Sequence, residues 1–261
     1  MKSLLKKLFK SSPVVPQDPA TLPDNHRIYC IGDIHGRVDL LKQLHDKIKL
    51  DSDTFSGHKT IIYLGDYIDR GPDSKRVIDC ILNEKLTNFT EVFLLGNHEQ
   101  VLLQFVLSED PSIANDWFKF GGLSTLASYG VEIRGIPTLK DLSRLRTEFT
   151  EKLPNTHFEF FKDLTLSFEC GDYFFAHAGI NPKINLSNQR PEDLLWIRED
   201  FINSTLFHKK IIVHGHTVTS EPEQLFNRIG IDTGAYSTGR LTCAVFEETE
   251  CRFLQTKNNF L

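Results

Sequence analysis

Five short clusters place possible metal ligands beside glycines: Gly32-Asp33-Ile34-His35-Gly36, Gly65-Asp66-Tyr67-Ile68-Asp69-Arg70-Gly71, Gly96-Asn97-His98-Glu99, His177-Ala178-Gly179 and His214-Gly215-His216-Thr217. Oxygen and imidazole donors without thiolate suit a hard or borderline divalent cation. Asp33 and His35, two apart on one loop, can face a first cation, and Asp66 can reach a second. Asn97, His177 and His216 add further ligands. A single Asp-x-His triplet says little, because Asp is common in turns, and Asn97 alone reads equally well as a helix cap. Together, the candidates are enough for two cations. Held about 3.5–4 Å apart, such a pair would clamp a phosphoryl group and lower the pKa of a bridging water toward about 7, so that hydroxide is the nucleophile.

His98, next to the ligand candidate Asn97, is better placed to protonate a leaving oxygen than to ligate. A carboxylate behind it would hold its tautomer, and Asp69 is the natural partner. A plain ion pair of Asp69 with Arg70 is the competing reading. Arg70 and Arg198 could hold phosphate oxygens, since guanidinium matches phosphate bidentately.

These residues need a scaffold that makes loops converge. Apolar runs over 27–31, 60–64 and 91–95 read as buried strands, and each ends directly at one of the first three clusters. Helical faces follow at Leu40, Leu41, Leu44 and Ile48, then at Val77, Ile78, Ile81 and Leu82, and a third helix is expected to begin near Glu99. This βαβ rhythm predicts an α/β fold, whose ligands bind outside the carboxyl ends of the strands. Between Ser108 and Leu166 the rhythm breaks into a helical insertion expected to lie over the site. Strands return over 173–176, 210–213, 228–231 and 241–247, which suggests a second, partly antiparallel sheet. Two packed sheets with outer helices (αββα) is the predicted architecture.

At 261 residues and 40% apolar content, the chain supports one substantial core. Its net charge of -5 argues against a protein that chiefly binds nucleic acid. Five cysteines without a CxxC pair read as thiols in a reducing cytoplasm. Residues 1–24 form a basic, Pro-rich tail in which Leu4, Leu5, Leu8 and Phe9 alternate with lysines, and a catalytic domain is expected over 25–261. A solubilising tail is the plain reading; contact with an anionic membrane surface is the sharper one.

The ordered clusters resemble the calcineurin-like metallophosphoesterases, and among them the compact bacterial and phage-type phosphoprotein phosphatases. The likeness spans about Ile28 to Thr233. It implies a two-sheet sandwich flanked by helices, with Asp33 and His35 on a first metal, Asp66 bridging, and Asn97, His177 and His216 on a second. His98 with Asp69 would be the acid pair. Aligning the Gly-His motif with Gly215-His216 leaves His214 structural, and Val218, where some relatives carry a further His, implies a first site completed by water. The Trp196-Ile197-Arg198 segment resembles the one that delivers a second phosphate-binding arginine. Two divalent metal ions are implied, manganese foremost, with iron or zinc as alternatives. Leu95 departs from the pattern, because many protein phosphatases carry arginine there. The family's diadenosine tetraphosphate hydrolases also lack that arginine, but generally lack the second acidic residue, present here as Asp69. The expectation is a serine/threonine protein phosphatase acting on phosphorylated protein substrates. A nucleotide or other small-phosphoester hydrolase is the alternative.

Overall fold

The computed structural model describes residues 18–257, so the basic amphipathic segment of the tail lies outside the described residues. Packing begins slightly before the expected boundary at Asn25. Leu22 is buried between the sheets, and the Thr21 N–H donates to Asp172 at 2.9 Å.

The first half alternates as expected: β1 (His26–Ile31), α1 (Val38–Ser52), β2 (His58–Tyr63), α2 (Ser74–Asn83), β3 (Thr90–Phe93) and α3 (Asn97–Leu107). β1 is buried on both faces from Arg27 onward, as a central strand in a covered sheet must be. α1 buries Leu40, Leu41, Leu44 and Ile48 on one stripe and carries Asp39 in its first turn, where the helix dipole favours negative charge. The insertion folds as α4 (Pro111–Lys119), α5 (Gly122–Ser128), α6 (Leu142–Lys152) and α7 (Asn155–Lys162). Asp110 caps α4 by accepting from the Ser112 N–H at 2.9 Å, and Pro111 occupies the first turn, where no N–H is needed.

The chain continues through β4 (Ser167–Cys170), β5 (Tyr173–Ala176), α8 (Pro191–Trp196), α9 (Glu199–Ile202), β6 (Ile211–His214), β7 (Glu223–Gln224), β8 (Arg228–Gly230), β9 (Thr242–Glu247) and β10 (Glu250–Gln255). One sheet has the order β10-β9-β1-β2-β3 and the other β4-β5-β6-β8-β7. Three details differ from expectation. β9 was expected in the second sheet, but it pairs antiparallel with β1 in the first. Its residues 242–246 are buried, and the chain turns back into β10, which forms that sheet's edge. The third helix starts at Asn97 rather than Glu99. β4, β7 and β10 were not anticipated.

Ile28, Cys30, Ile62 and Leu64 meet Phe175, Val213 and Ile229 between the sheets. Helices α1 to α7 cover the outer face of the first sheet, while α8 and α9 pack Leu194 and Phe201 against Phe174 and Ile212 on the second. The result is a four-layer α/β sandwich with both sheets covered. Among the described residues no helix is long and apolar enough to cross a membrane.

Candidate functional site

β1, β2, β5, β6 and β8 end at one rim, and the loops that follow them, the first turn of α3 and, for Arg198, the junction of α8 and α9 carry the candidate residues. The backbone there is strained. Among the described residues nine non-glycine positions have positive φ, and five of them are His35, Asp66, Asp69, Arg70 and His216. Such conformations cost about 1–3 kcal/mol each and persist only where surrounding contacts hold them. Much of the holding comes from Glu99, which sequence reasoning left without a role. Its buried carboxylate accepts the backbone N–H groups of Asp66 and Tyr67 at 2.9 Å, Gly96 at 3.1 Å and Ile68 at 3.2 Å. Burial and then the charge of Asp66 push its pKa up, while His98 and the Ile68 N–H act in the opposite direction and favour the carboxylate. Gly65, at φ 102, lies so close to the α3 start that a Cβ would come within 2.5 Å of the Gly96 nitrogen.

Asp66 is central. Its Oδ2 lies 3.5 Å from His35 Nε2, while its Oδ1 lies 3.5 Å from His177 Nε2, so the two oxygens face different imidazoles. Burial alone would raise its pKa, but four surrounding imidazoles hold it below the ordinary range. The His35 Nδ1–H donates to the Ile68 carbonyl at 2.8 Å and the His177 Nδ1–H to the Leu64 carbonyl at 2.9 Å, which leaves both Nε2 lone pairs pointing inward. Burial keeps these rings neutral, with His35 lowered to about 3 and His216 to about 2.

Asn97 does not cap α3; Gly96 occupies that position. Asn97 Oδ1 instead lies 2.9 Å from both His177 Nε2 and His216 Nδ1, which are 3.2 Å apart. With the His177 proton on Nδ1, one proton at most is available among these three acceptor atoms. His216 Nε2 is also buried without a partner. A cation satisfies this excess of lone pairs, so the residues fit a metal ion.

Asp33 accepts the His216 N–H at 3.0 Å and sits beside Asp66 and Asp232. Burial, then repulsion from those two carboxylates, drives its pKa well up, a cost that a cation would remove. Asp232, pushed up to about 6 chiefly by burial, was not among the candidates. It follows β8 just as the others follow their strands, so the strand-end rule could have found it.

His98 differs from the other imidazoles. Its Nδ1–H donates to Asp69 at 2.6 Å, and its Nε2 lies 3.8 Å from Asp66 and 3.5 Å from the Arg70 guanidinium. Burial would lower its pKa, but Asp66 and Asp69 outweigh burial and raise it to about 9. His35, Asp66 and His98 lie close enough to form a metal triad. A protonated ring offers no lone pair, however, which favours proton donation over ligation. Asp69 is fully buried and pairs with His98 rather than Arg70. It also accepts from Trp117 Nε1 at 2.8 Å and from the Thr125 hydroxyl. The insertion therefore braces the His98–Asp69 pair instead of only covering the site.

Arg70 is exposed at the rim, stacked 4.7 Å over the Tyr236 ring. Its backbone packs on Gly121, where a Cβ would lie 2.7 Å from the Arg70 nitrogen. Arg198, also exposed, reaches the His216 carbonyl at 3.4 Å. His214 points away from the centre, with Nδ1 at 3.0 Å from the Gly215 carbonyl and its ring against Phe201.

The profile of the family described as calcineurin-like phosphoesterase matches residues 26–247. The chain is 28% identical over 242 residues to bis(5'-nucleosyl)-tetraphosphatase PrpE [asymmetrical] of Anoxybacillus flavithermus, covering 84% of this chain and 90% of that relative. Among solved structures, a proposed diadenosine tetraphosphatase superposes with a TM-score of 0.58 at 22% identity, covering 92% of this chain and all of that one. A cold-active protein tyrosine phosphatase superposes at 0.51 and 15% identity, over 90% of this chain and 81% of that one. At these identities the structural likenesses concern the fold.

Proposed function

We propose, from the premise that this chain belongs to the calcineurin-like phosphoesterase family, that it hydrolyses dinucleoside tetraphosphates at a two-metal centre. Metal-dependent phosphoester hydrolysis comes with the family. The observation that carries the reading is the convergence of Asn97, His177 and His216 on one side of Asp66 and of His35 on the other, with the His98–Asp69 pair alongside. Asp33, His35 and Asp66 would hold one divalent cation, and Asp66, Asn97, His177 and His216 the other. Manganese is the first choice. Bound there, the cations would supply Lewis-acid charge to the phosphoryl group and ease deprotonation of the attacking water.

The remaining work falls to the chain itself. Arg70 and Arg198 reach phosphate oxygens from the rim, their guanidinium forks matching the paired oxygens. His98 gives its Nε2 proton to the departing oxygen, and Asp69, fixed by Trp117 and Thr125, keeps the ring oriented. Substrate choice rests on the PrpE relatives, aligned over nearly their whole length. They favour the nucleotide alternative over the phosphoprotein reading, whose support is general likeness of motif and fold.

The test is a side-by-side assay of purified protein on diadenosine tetraphosphate and a phosphoserine peptide, with manganese added, then chelated. Expected are AMP and ATP as products, at least tenfold higher kcat/KM on the dinucleotide, and loss of activity on chelation. Turnover indifferent to chelation would sink the metal assignment, and preference for the phosphopeptide would sink the substrate assignment.

A further inference from the structure

Beside the centre lies a cavity of about 460 Å³ that the mechanism does not use, within the range of small-molecule sites. Phe120 and Trp196 form its inner walls, Val101 and Ile113 extend it, and Asp116 and Glu192 stand at its mouth. No residue lining it is basic. The two aromatic rings, 6.0 Å apart and tilted by 52°, make a corner rather than a sandwich, so a planar guest stacks on one and meets the other at its edge. Trp196 is held in place by its Nε1–H, which donates to Gln100 at 2.7 Å.

The corner abuts the chemistry on both sides. The Phe120 ring lies 6.0 Å from the His98 ring, and the Trp196 ring 6.5 Å from the His216 ring. Charge sorts a nucleotide across this boundary. Glu192 repels phosphate, and it and the second oxygen of Asp116, whose Oδ1 lies 3.0 Å from the Lys119 ammonium, accept hydrogen bonds from the amino groups of a base, whereas Arg70 and Arg198 attract phosphate at the centre. An apolar peptide side chain would fill the corner but leave those carboxylates unmatched.

On the dinucleotide reading above, we propose that the Phe120–Trp196 corner takes the base of one nucleotide, and that the phosphorus attacked is that nucleotide's own. The corner's rings lie 6.0 and 6.5 Å from those of His98 and His216, so the corner stands about one sugar's length from the centre and the phosphate nearest the base is the one that reaches it. Water oxygen then bonds to this α-phosphorus and releases a proton to solvent. The bond from that phosphorus to the bridging oxygen breaks, and its electron pair leaves with the nucleoside triphosphate, which takes the His98 proton. The products are a nucleoside monophosphate from the corner and a nucleoside triphosphate from the open side.

Hydrolysis of diadenosine tetraphosphate in ¹⁸O-water, followed by mass spectrometry, reads the site of attack. The expected label is in AMP; label in ATP would mean attack on the neighbouring phosphorus and overturn the placement. Stacking on an aromatic residue is worth enough that Phe120→Ala should lower kcat/KM for the dinucleotide about 5- to 100-fold, mainly through KM. Ser112→Trp, in the exposed first turn of α4, should block the cavity with a similar loss. Tripolyphosphate and p-nitrophenyl phosphate, which carry no base, should turn over within about twofold of wild type in both variants. Equal losses on substrates with and without a base would show that Phe120 merely props His98, and would remove the base site. Wild-type inactivity on the dinucleotide beside activity on a phosphopeptide would instead refute the substrate reading, and the corner's role with it.

Discussion

His98 is set apart from the neighbouring imidazoles by what stands behind it. His35 and His177 give their Nδ1–H to backbone carbonyls and stay neutral, whereas His98 gives its Nδ1–H to a buried carboxylate and is held protonated. Removing that proton should matter most when the leaving oxygen is a poor one. His98→Asn should therefore lower kcat on phenyl phosphate by about 10²–10⁴-fold and on p-nitrophenyl phosphate by much less, with two metal equivalents retained. Elemental analysis beside both rate constants checks it; loss of metal would make His98 a ligand. The candidate ligands were legible in sequence because each follows a strand within a few residues. The groups that brace Asp69 were not, because Trp117 and Thr125 lie in helices of the insertion, and nothing local marks a polar atom that turns inward.

At the level of elements, the site depends on how α3 is joined to the loop after β2. Glu99 Oε2 accepts from Asp66 and Gly96, and Oε1 from Tyr67 and Ile68, so one carboxylate fixes strained backbone that no strand ladder satisfies. Glu99→Gln keeps the shape but turns an amide N–H₂ toward two of these donors. Leaving buried N–H groups unmatched costs about 1–3 kcal/mol each, so the variant should lose about 2–6 kcal/mol in urea denaturation of chelated protein. A loss within 0.5 kcal/mol of zero, on the order of ordinary surface substitutions, would show that the loop holds without it. The parallel βαβ half was readable because long amphipathic helices separate its strands. β9 was assigned to the wrong sheet because a strand buried on both faces carries no alternation to say which neighbour it joins. β4 and β7, with four and two residues, are too short for any period to register.

At the scale of the whole molecule, the sandwich buries imidazoles away from the site as well as within it, and this ties folding to acidity. His45 on α1 is the cleanest case. It is 4% exposed, its Nε2 accepts from the Tyr63 hydroxyl at 2.9 Å, and the charged groups that bear on it are not metal candidates. Burial lowers its pKa from 6.5 to about 4, with Lys42 and Lys49 adding to the fall and Asp46 and Glu84 opposing it. Above pH 6.5 neither state is protonated, and His45 adds no pH dependence to stability. Between about 6.5 and 4 the unfolded chain binds the proton that the folded chain refuses, so stability falls as pH falls, by about 3 kcal/mol in total. Below about 4 both states are protonated and this contribution levels off. His45→Phe removes the titration and leaves the Tyr63 hydroxyl without its acceptor at every pH in the window. Denaturation of chelated protein should therefore find the variant less stable at pH 7, with the gap closing by about 3 kcal/mol on reaching pH 4. A gap that stays constant across that range would place the acid sensitivity of the fold in the imidazoles of the metal centre instead.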